Sequence, residues 1–204
     1  TDGCGGLEFT GGHGPWKAPV PSLPGRHQID NAGLALATLD QSPFAIPPFA
    51  LRSGFRNIEW PARAQRLKQG PLMRLLPSGW ELWLDGGHNA GGGQAIAALA
   101  AELWSDAPLH IICGMLATKG AEDYLRPLAA PARRLIAVPI ISSDAALRPG
   151  DLAAAAKRAG FADVQTAESV GAALKSTATG AEGRARVLIS GSLYLAGEVL
   201  RENG

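Results

Sequence analysis

Only two cysteines, Cys4 and Cys113, occur in the 204 residues. A fold stapled by disulfides needs several, so this chain must close by burying apolar surface, and a reducing cytoplasm is the expected compartment. Cys113 sits inside an apolar run and reads as a small core residue. No apolar stretch approaches the ~20 residues of a membrane-spanning helix. No signal peptide is visible at the start, and no membrane partner is expected. An excess of one charge is also missing, because 19 Lys and Arg face 18 Asp and Glu. Nucleic-acid binding draws on a basic face, so no nucleic-acid partner is expected. His13, His27, His88 and His110 show no zinc-like spacing, and no metal ligands are assigned within the chain. Finally, none of Lys17, Lys68, Lys119, Lys157 and Lys175 follows a glycine. A Walker-type phosphate loop requires Gly directly before Lys, so the main grip on any nucleotide phosphate must come from elsewhere.

What is present begins with 46% apolar residues, enough for a real core and against wholesale disorder. The first 25 or so residues are rich in Gly and Pro and read as loops with one short strand over 7–10. An Ala/Leu-rich helix is expected over 29–39. Pro43, Pro47 and Pro48 exclude a long unbroken helix over 42–60. This opening third reads as too thin to close a core alone. The chain opens on Thr1-Asp2-Gly3 rather than methionine, as a fragment or processed product would.

From Glu81 onward the pattern changes. Strand-length apolar runs at 81–84, 109–113, 134–139, 162–166 and 186–189 alternate with helical stretches at 92–103, 121–128, 149–158, 169–177 and 194–201. Pro149 suits a first helical turn and Gly160 a position just past the end. Such repetition implies an α/β fold with a mainly parallel sheet flanked by helices. His110 falls in an expected strand and reads as structural.

Ligands of such sheets bind beyond the carboxyl ends of the strands, which singles out the loops 85–93, 114–120 and 190–193. The first reads Asp85-Gly86-Gly87-His88-Asn89-Ala90-Gly91-Gly92-Gly93. Its glycines let backbone amides approach an anion, and the helix start that follows favours negative charge. His88 and Asn89 interrupt the glycine spacing, so this is not a dinucleotide fingerprint. In the third loop Ser192 can cap a helix, bind a carboxylate, or do both. A nucleophilic serine is not indicated, because the nucleophile-elbow pattern is missing. Lys119, in the middle loop, is a candidate anion contact or an ordinary surface lysine.

Five segments taken together resemble folylpolyglutamate synthase/dihydrofolate synthase of the Mur ligase superfamily. Gly25-Arg26-His27-Gln28-Ile29-Asp30-Asn31-Ala32 resembles G-x-H-Q/N-x-x-N-A, and Trp60-Pro61-Ala62-Arg63-Ala64-Gln65 resembles W-P-G-R-x-Q. Asp85-Gly86-Gly87-His88-Asn89 resembles D-G-A-H-N-P, Gly114-Met115-Leu116-Ala117-Thr118-Lys119 resembles G-M-x-x-D-K, and Gly191-Ser192-Leu193-Tyr194-Leu195-Ala196-Gly197 resembles G-S-L-Y-L-A-G. The order and spacing match over residues 25 to 197. Ala62 stands for the usual Gly, Ala90 for Pro, and Thr118 and Gly120 for acidic residues.

The resemblance implies a Rossmann-like carboxy-terminal, glutamate-binding domain over 80–204, a hinge or linker with the entry to that domain over 59–79, and a remnant of a central ATPase domain over 1–58. The Walker loop, the magnesium ligands and much of the pterin pocket would lie in a preceding part of a longer parent. Also implied is ATP-dependent ligation of L-glutamate to dihydropteroate or a reduced folate by a monomeric parent, with ATP and Mg2+ as cofactors. By the same resemblance Arg63 and His88 are catalytic, and Asn31, Arg63, Asp85 and His88 contact the nucleotide. His88 and Ser192 would bind the glutamate substrate. Another Mur-type amide ligase and a non-catalytic Rossmann-like binding module stay open as alternatives. Exposed apolar surface is expected over 1–58.

Overall fold

The computed structural model describes residues 6–12, 14–180 and 183–204; Cys4 and His13 lie outside them. The chain divides into two compact units, Thr1–Trp60 and Pro61–Gly204.

In the first unit, β1 (Gly6–Gly11) and β2 (Gly14–Pro19) form an antiparallel hairpin with Phe9 opposite Trp16. Two helices follow, α1 (His27–Asp40) and α2 (Pro48–Arg56). Proline blocks a long helix but suits the first helical position, which is where Pro48 starts α2. Leu7, Ala18, Ala32, Leu36, Leu51 and Phe55 close a small core of their own, contrary to the sequence expectation. At the end of α1 the buried Asp40 carboxylate accepts the Gly12 N–H and the Trp16 indole N–H, both at 2.8 Å, tying helix to hairpin. Leu34, Phe44 and Phe49 remain well exposed, the apolar surface expected of this part.

The second unit is built on a six-stranded sheet. Its strands are β3 (Gln65–Leu67), β4 (Glu81–Leu84), β5 (Leu109–Cys113), β6 (Ala132–Ala137), β7 (Val164–Thr166) and β8 (Arg186–Ser190), in the order β3-β4-β8-β5-β6-β7. All neighbours run parallel except β3, which lies antiparallel on β4. The central β8 is buried throughout, with Val187, Leu188 and Ile189 fully covered. Each such side chain contributes about 1.5–3 kcal/mol relative to exposure.

Side chains alternate across the sheet. Leu109, Ile111 and Cys113 meet α3 (Ala90–Leu103), α4 (Ala121–Leu125) and α5 (Pro149–Arg158) on one face. Ile112, Ile136 and Val187 meet α6 (Val170–Ala178) and α7 (Leu193–Asn203) on the other. Pro149 opens α5, and Gly160, at φ 106°, follows its end as its sequence position requires. Residues expected as hinge and entry, from Pro61 on, belong to this unit, and their Leu67, Leu72 and Leu76 join its core. Among the described residues no helix is long and apolar enough to cross a membrane.

Candidate functional site

Because β8 lies between β4 and β5, the loops that leave their carboxyl ends are neighbours. Backbone hydrogen bonds tie them together: the Gly191 N–H donates to the Gly87 carbonyl at 3.1 Å, and the Gly114 N–H to the Ser190 carbonyl at 3.2 Å. Gly191 adopts φ 107°, and a side chain there would strike Cys113 Sγ at 2.6 Å and the Gly114 carbonyl oxygen at 2.7 Å. Glycine is therefore demanded by close approach as well as by conformation. Cys113 beneath it is fully buried, and burial pushes its thiol up to about 12. That makes it an inert core residue rather than a nucleophile.

His88 is partly buried, and its Nδ1 lies 2.9 Å from the Gly86 carbonyl oxygen. A carbonyl only accepts, so Nδ1 carries the proton in that bond. Nε2 is then the ring's remaining polar atom, an acceptor when neutral and a donor when protonated. Asn89 caps α3, its side-chain oxygen accepting the Gly92 N–H at 2.9 Å. Ser192 is buried and caps α7, with Oγ accepting the Tyr194 N–H at 3.1 Å. An accepting hydroxyl still has its own hydrogen to give. Both helix starts thus face the same end of the sheet, where helix dipoles favour negative charge.

Asp85 has a task the sequence does not reveal. One carboxylate oxygen accepts the Gly87 N–H and the other the Ala64 N–H, both at 2.7 Å. The Gly86 N–H in turn donates to the Ala62 carbonyl at 2.8 Å, and the Gln65 side chain accepts the Ala62 N–H at 2.9 Å. Ala62 and Ala64 are held at φ 55° and 43°, left-handed conformations unusual for alanine. These bonds clamp the turn to the end of β4 and leave Arg63 exposed at its tip, with no ion-pair partner among the described residues. No sequence pattern signals a bond between residues 64 and 85; it needs the antiparallel pairing of β3 with β4.

Gly93 also differs from its expected part in an anion loop. A Cβ there would lie 2.2 Å from the Tyr124 carbonyl oxygen, so it lets α3 pack against α4. Tyr124, missed by the sequence reading, is wholly buried, and burial raises its phenol well above the ordinary range. Lys119 is exposed on the middle loop without an ion-pair partner among the described residues. Asn31 belongs to the first unit, exposed on α1, where its Nδ2 donates to the Gln28 side-chain oxygen at 3.0 Å. Gln28 in turn lies 2.9 Å from the His27 ring nitrogen, so the first turn of α1 carries a linked His-Gln-Asn set. Among the described residues no three His, Cys, Asp or Glu gather as metal ligands.

A mainly parallel sheet with polar loops tied together beyond its carboxyl ends defines an α/β ligand-binding domain. Residues 73–193 match the Mur ligase, glutamate ligase domain, and the chain belongs to that family. It is 28% identical over 192 residues to a probable bifunctional folylpolyglutamate synthase/dihydropteroate synthase of Halobacterium salinarum, covering 94% of this chain and 22% of that protein. Identity to the folylpolyglutamate synthase of Lacticaseibacillus casei is 26% over 181 residues, covering 87% of this chain and 38% of the relative. The crystal structure of Mycobacterium tuberculosis folylpolyglutamate synthase complexed with ADP superposes with a TM-score of 0.79 at 27% identity, covering 98% of this chain and 45% of that one. This chain thus spans less than half the length of each of these relatives.

Proposed function

We propose that the chain is the carboxy-terminal part of an ATP-dependent ligase that joins L-glutamate to a pterin-linked carboxylate, dihydropteroate or a reduced folate, in folate biosynthesis. The observation that carries this reading is the joining of the Asp85 and Ser192 loops in a glutamate ligase domain, supported by relatives named for folylpolyglutamate synthesis. In this reading the pterin-linked carboxylate attacks the terminal phosphorus of ATP, ADP leaves, and an acyl phosphate forms. The glutamate amine then attacks the acyl carbon, loses a proton, and phosphate departs.

Each residue of the chain has a part suited to its setting. The exposed Arg63 guanidinium reaches the ATP phosphates and stabilises the transferring charge. Asp85 acts as a positioning residue by fixing the Arg63 turn. His88, with Nδ1 held by Gly86, offers Nε2 to phosphate or to the incoming glutamate. Ser192 gives its hydroxyl hydrogen to a glutamate carboxylate while its oxygen caps α7. Asn31 faces the adenine. Magnesium finds no fitting ligand set among the described residues, and Asp85, the carboxylate at the loops, spends both oxygens on backbone N–H groups. The reading gives this chain no part in holding the metal. It includes a monomeric, cytoplasmic parent.

The test is ADP release by the longer parent, supplied with dihydropteroate and glutamate, beside this 204-residue chain. Turnover by the parent is expected, lost in Arg63→Ala and His88→Ala and absent from the shorter chain. A folded parent that accepts neither dihydropteroate nor reduced folates would overturn the substrate class. Turnover by the 204 residues alone would overturn their assignment as part of the enzyme.

A further inference from the structure

At the amino-terminal edge of the sheet, the opposite end from the three loops, the second unit carries a cavity of about 360 Å3. Its walls include Trp80, His110, Arg133, Arg134, Thr177 and Arg184. The alternation of the sheet explains why these side chains meet. On the face covered by α6 and α7, Ile112 of β5 and Ile136 of β6 lie in the aliphatic core. Two residues earlier on the same face stand His110 and Arg134, which the parallel register sets side by side. The apolar face therefore gives way, at its last position, to an imidazole beside a guanidinium.

The site is rigidly backed. The His110 ring stacks parallel on Trp80 with centroids 5.8 Å apart, and the Trp80 indole N–H donates to the Gly183 carbonyl at 2.9 Å. Yet His110 Nδ1 is buried and has no hydrogen-bond partner. A buried polar atom left alone is costly, and native proteins rarely leave one without a reason.

The charge around this atom is unbalanced. Arg134 pairs with Asp163 at 2.6 Å. Arg184 lies 3.6 Å from Asp106, but that carboxylate is shared with Arg186 at 2.5 Å. Arg133 has no carboxylate partner among the described residues. The carboxy-terminal end of α6 adds about half an elementary negative charge. That is small beside a full guanidinium, and the Thr177 and Thr179 hydroxyls already donate to α6 carbonyls at 2.8 and 2.9 Å. Burial, and then the charges of Arg134 and Arg133, hold the His110 pKa below its usual value against the opposing pull of Asp163. A negative charge in the cavity would relieve that strain.

We propose that this cavity binds a small phosphate- or carboxylate-bearing polyanion, with Arg133, Arg134 and Arg184 as its charge partners and His110 Nδ1 as a hydrogen-bonding partner. The volume lies near the lower end of the roughly 300–1,000 Å3 range of ligand sites, which fits a small metabolite. Nothing in the ligase reading uses these residues, so the two stand or fall separately.

The experiment uses the 204-residue chain with isotope-labelled histidine, titrated with pyrophosphate and, in parallel, with tricarballylate. Saturable movement of the His110 ring resonances is expected, together with a rise in its pKa. In the double variant Arg133→Gln/Arg184→Gln, both sites exposed, binding should weaken about tenfold or more as charge-assisted bonds are lost. A stronger response to pyrophosphate assigns a phosphate ligand, and a stronger response to tricarballylate a carboxylate one. A His110 signal unmoved by either anion at millimolar concentration overturns the proposal, as does an equal response in the folded double variant.

Discussion

The carboxylate of Asp85 holds the backbone of Ala64 at 2.7 Å, and through it the turn that presents Arg63. Its other oxygen holds Gly87 at the same distance, so one buried side chain positions two loops. Asp85→Asn keeps the shape but replaces one accepting oxygen with an NH2 group that opposes an N–H. The cost of a buried unpaired donor is about 1–3 kcal/mol. A lower urea midpoint is therefore expected, and in the parent a fall in kcat/KM with Arg63 still present. An unchanged midpoint would show that water satisfies these N–H groups equally well.

Gly91 and Gly93 lie two residues apart in α3 and are expected to respond oppositely to alanine. At Gly91 a Cβ meets nothing closer than Asn89 Oδ1 at 3.6 Å, and alanine raises helix propensity by about 0.5–1 kcal/mol. At Gly93 the same atom would lie 2.2 Å from the Tyr124 carbonyl oxygen, a backbone atom that moves only if α4 moves. Overpacking of that kind costs about 1–3 kcal/mol. Thermal unfolding should show Gly91→Ala at or above the parent sequence and Gly93→Ala clearly below it.

The parallel core was legible because its signals are local. The runs at 81–84 and 109–113 coincide with β4 and β5, and Pro149 and Gly160 delimit α5. What escaped the reading depends on distant partners. β3 is three residues long and is a strand because β4 pairs with it. The hairpin partner β2 contains Pro15 and Pro19, which mask its strand character. At the site, His88 and Ser192 were visible as loop residues beyond strand ends, whereas the clamp from Asp85 to Ala64 spans 21 residues and has no local signature.

Acid should weaken the second unit through Glu81. Burial alone would raise its pKa, but hydrogen bonds from Arg186 and Trp83 and the charges of Arg186 and Arg66 outweigh it, and the net shift is downward. A carboxylate depressed in the folded state contributes stability above its unfolded pKa, and that contribution is lost as pH falls through the folded value. The window lies below the ordinary glutamate pKa. Glu81→Gln should flatten this part of the acid profile. It should also cost about 1.5–3 kcal/mol at neutral pH, the worth of a hydrogen bond to a charged group, because Arg186, mostly buried, keeps only Asp106. Urea midpoints measured from pH 3 to pH 7, the range bracketing a carboxylate's titration, check both effects.

Ser192 combines two tasks that a matched control separates. As the cap of α7 its loss to alanine should cost about 1 kcal/mol. Ser169 caps α6 in the same way, its Oγ accepting the Ala172 N–H at 3.1 Å, and it follows the edge strand β7 rather than β8, whose end carries the Ser192 loop. Ser169→Ala should therefore destabilise by a similar amount. Only Ser192 is proposed to hold a glutamate carboxylate, and a hydrogen bond to a charged group is worth about 1.5–3 kcal/mol, or roughly tenfold to a hundredfold in affinity. In the parent, Ser192→Ala should raise KM for glutamate by that factor while leaving KM for ATP near its starting value. Ser169→Ala should change neither. If the two variants lose stability equally and KM for glutamate moves in neither, Ser192 is a helix cap alone and the glutamate site must be sought elsewhere on these loops.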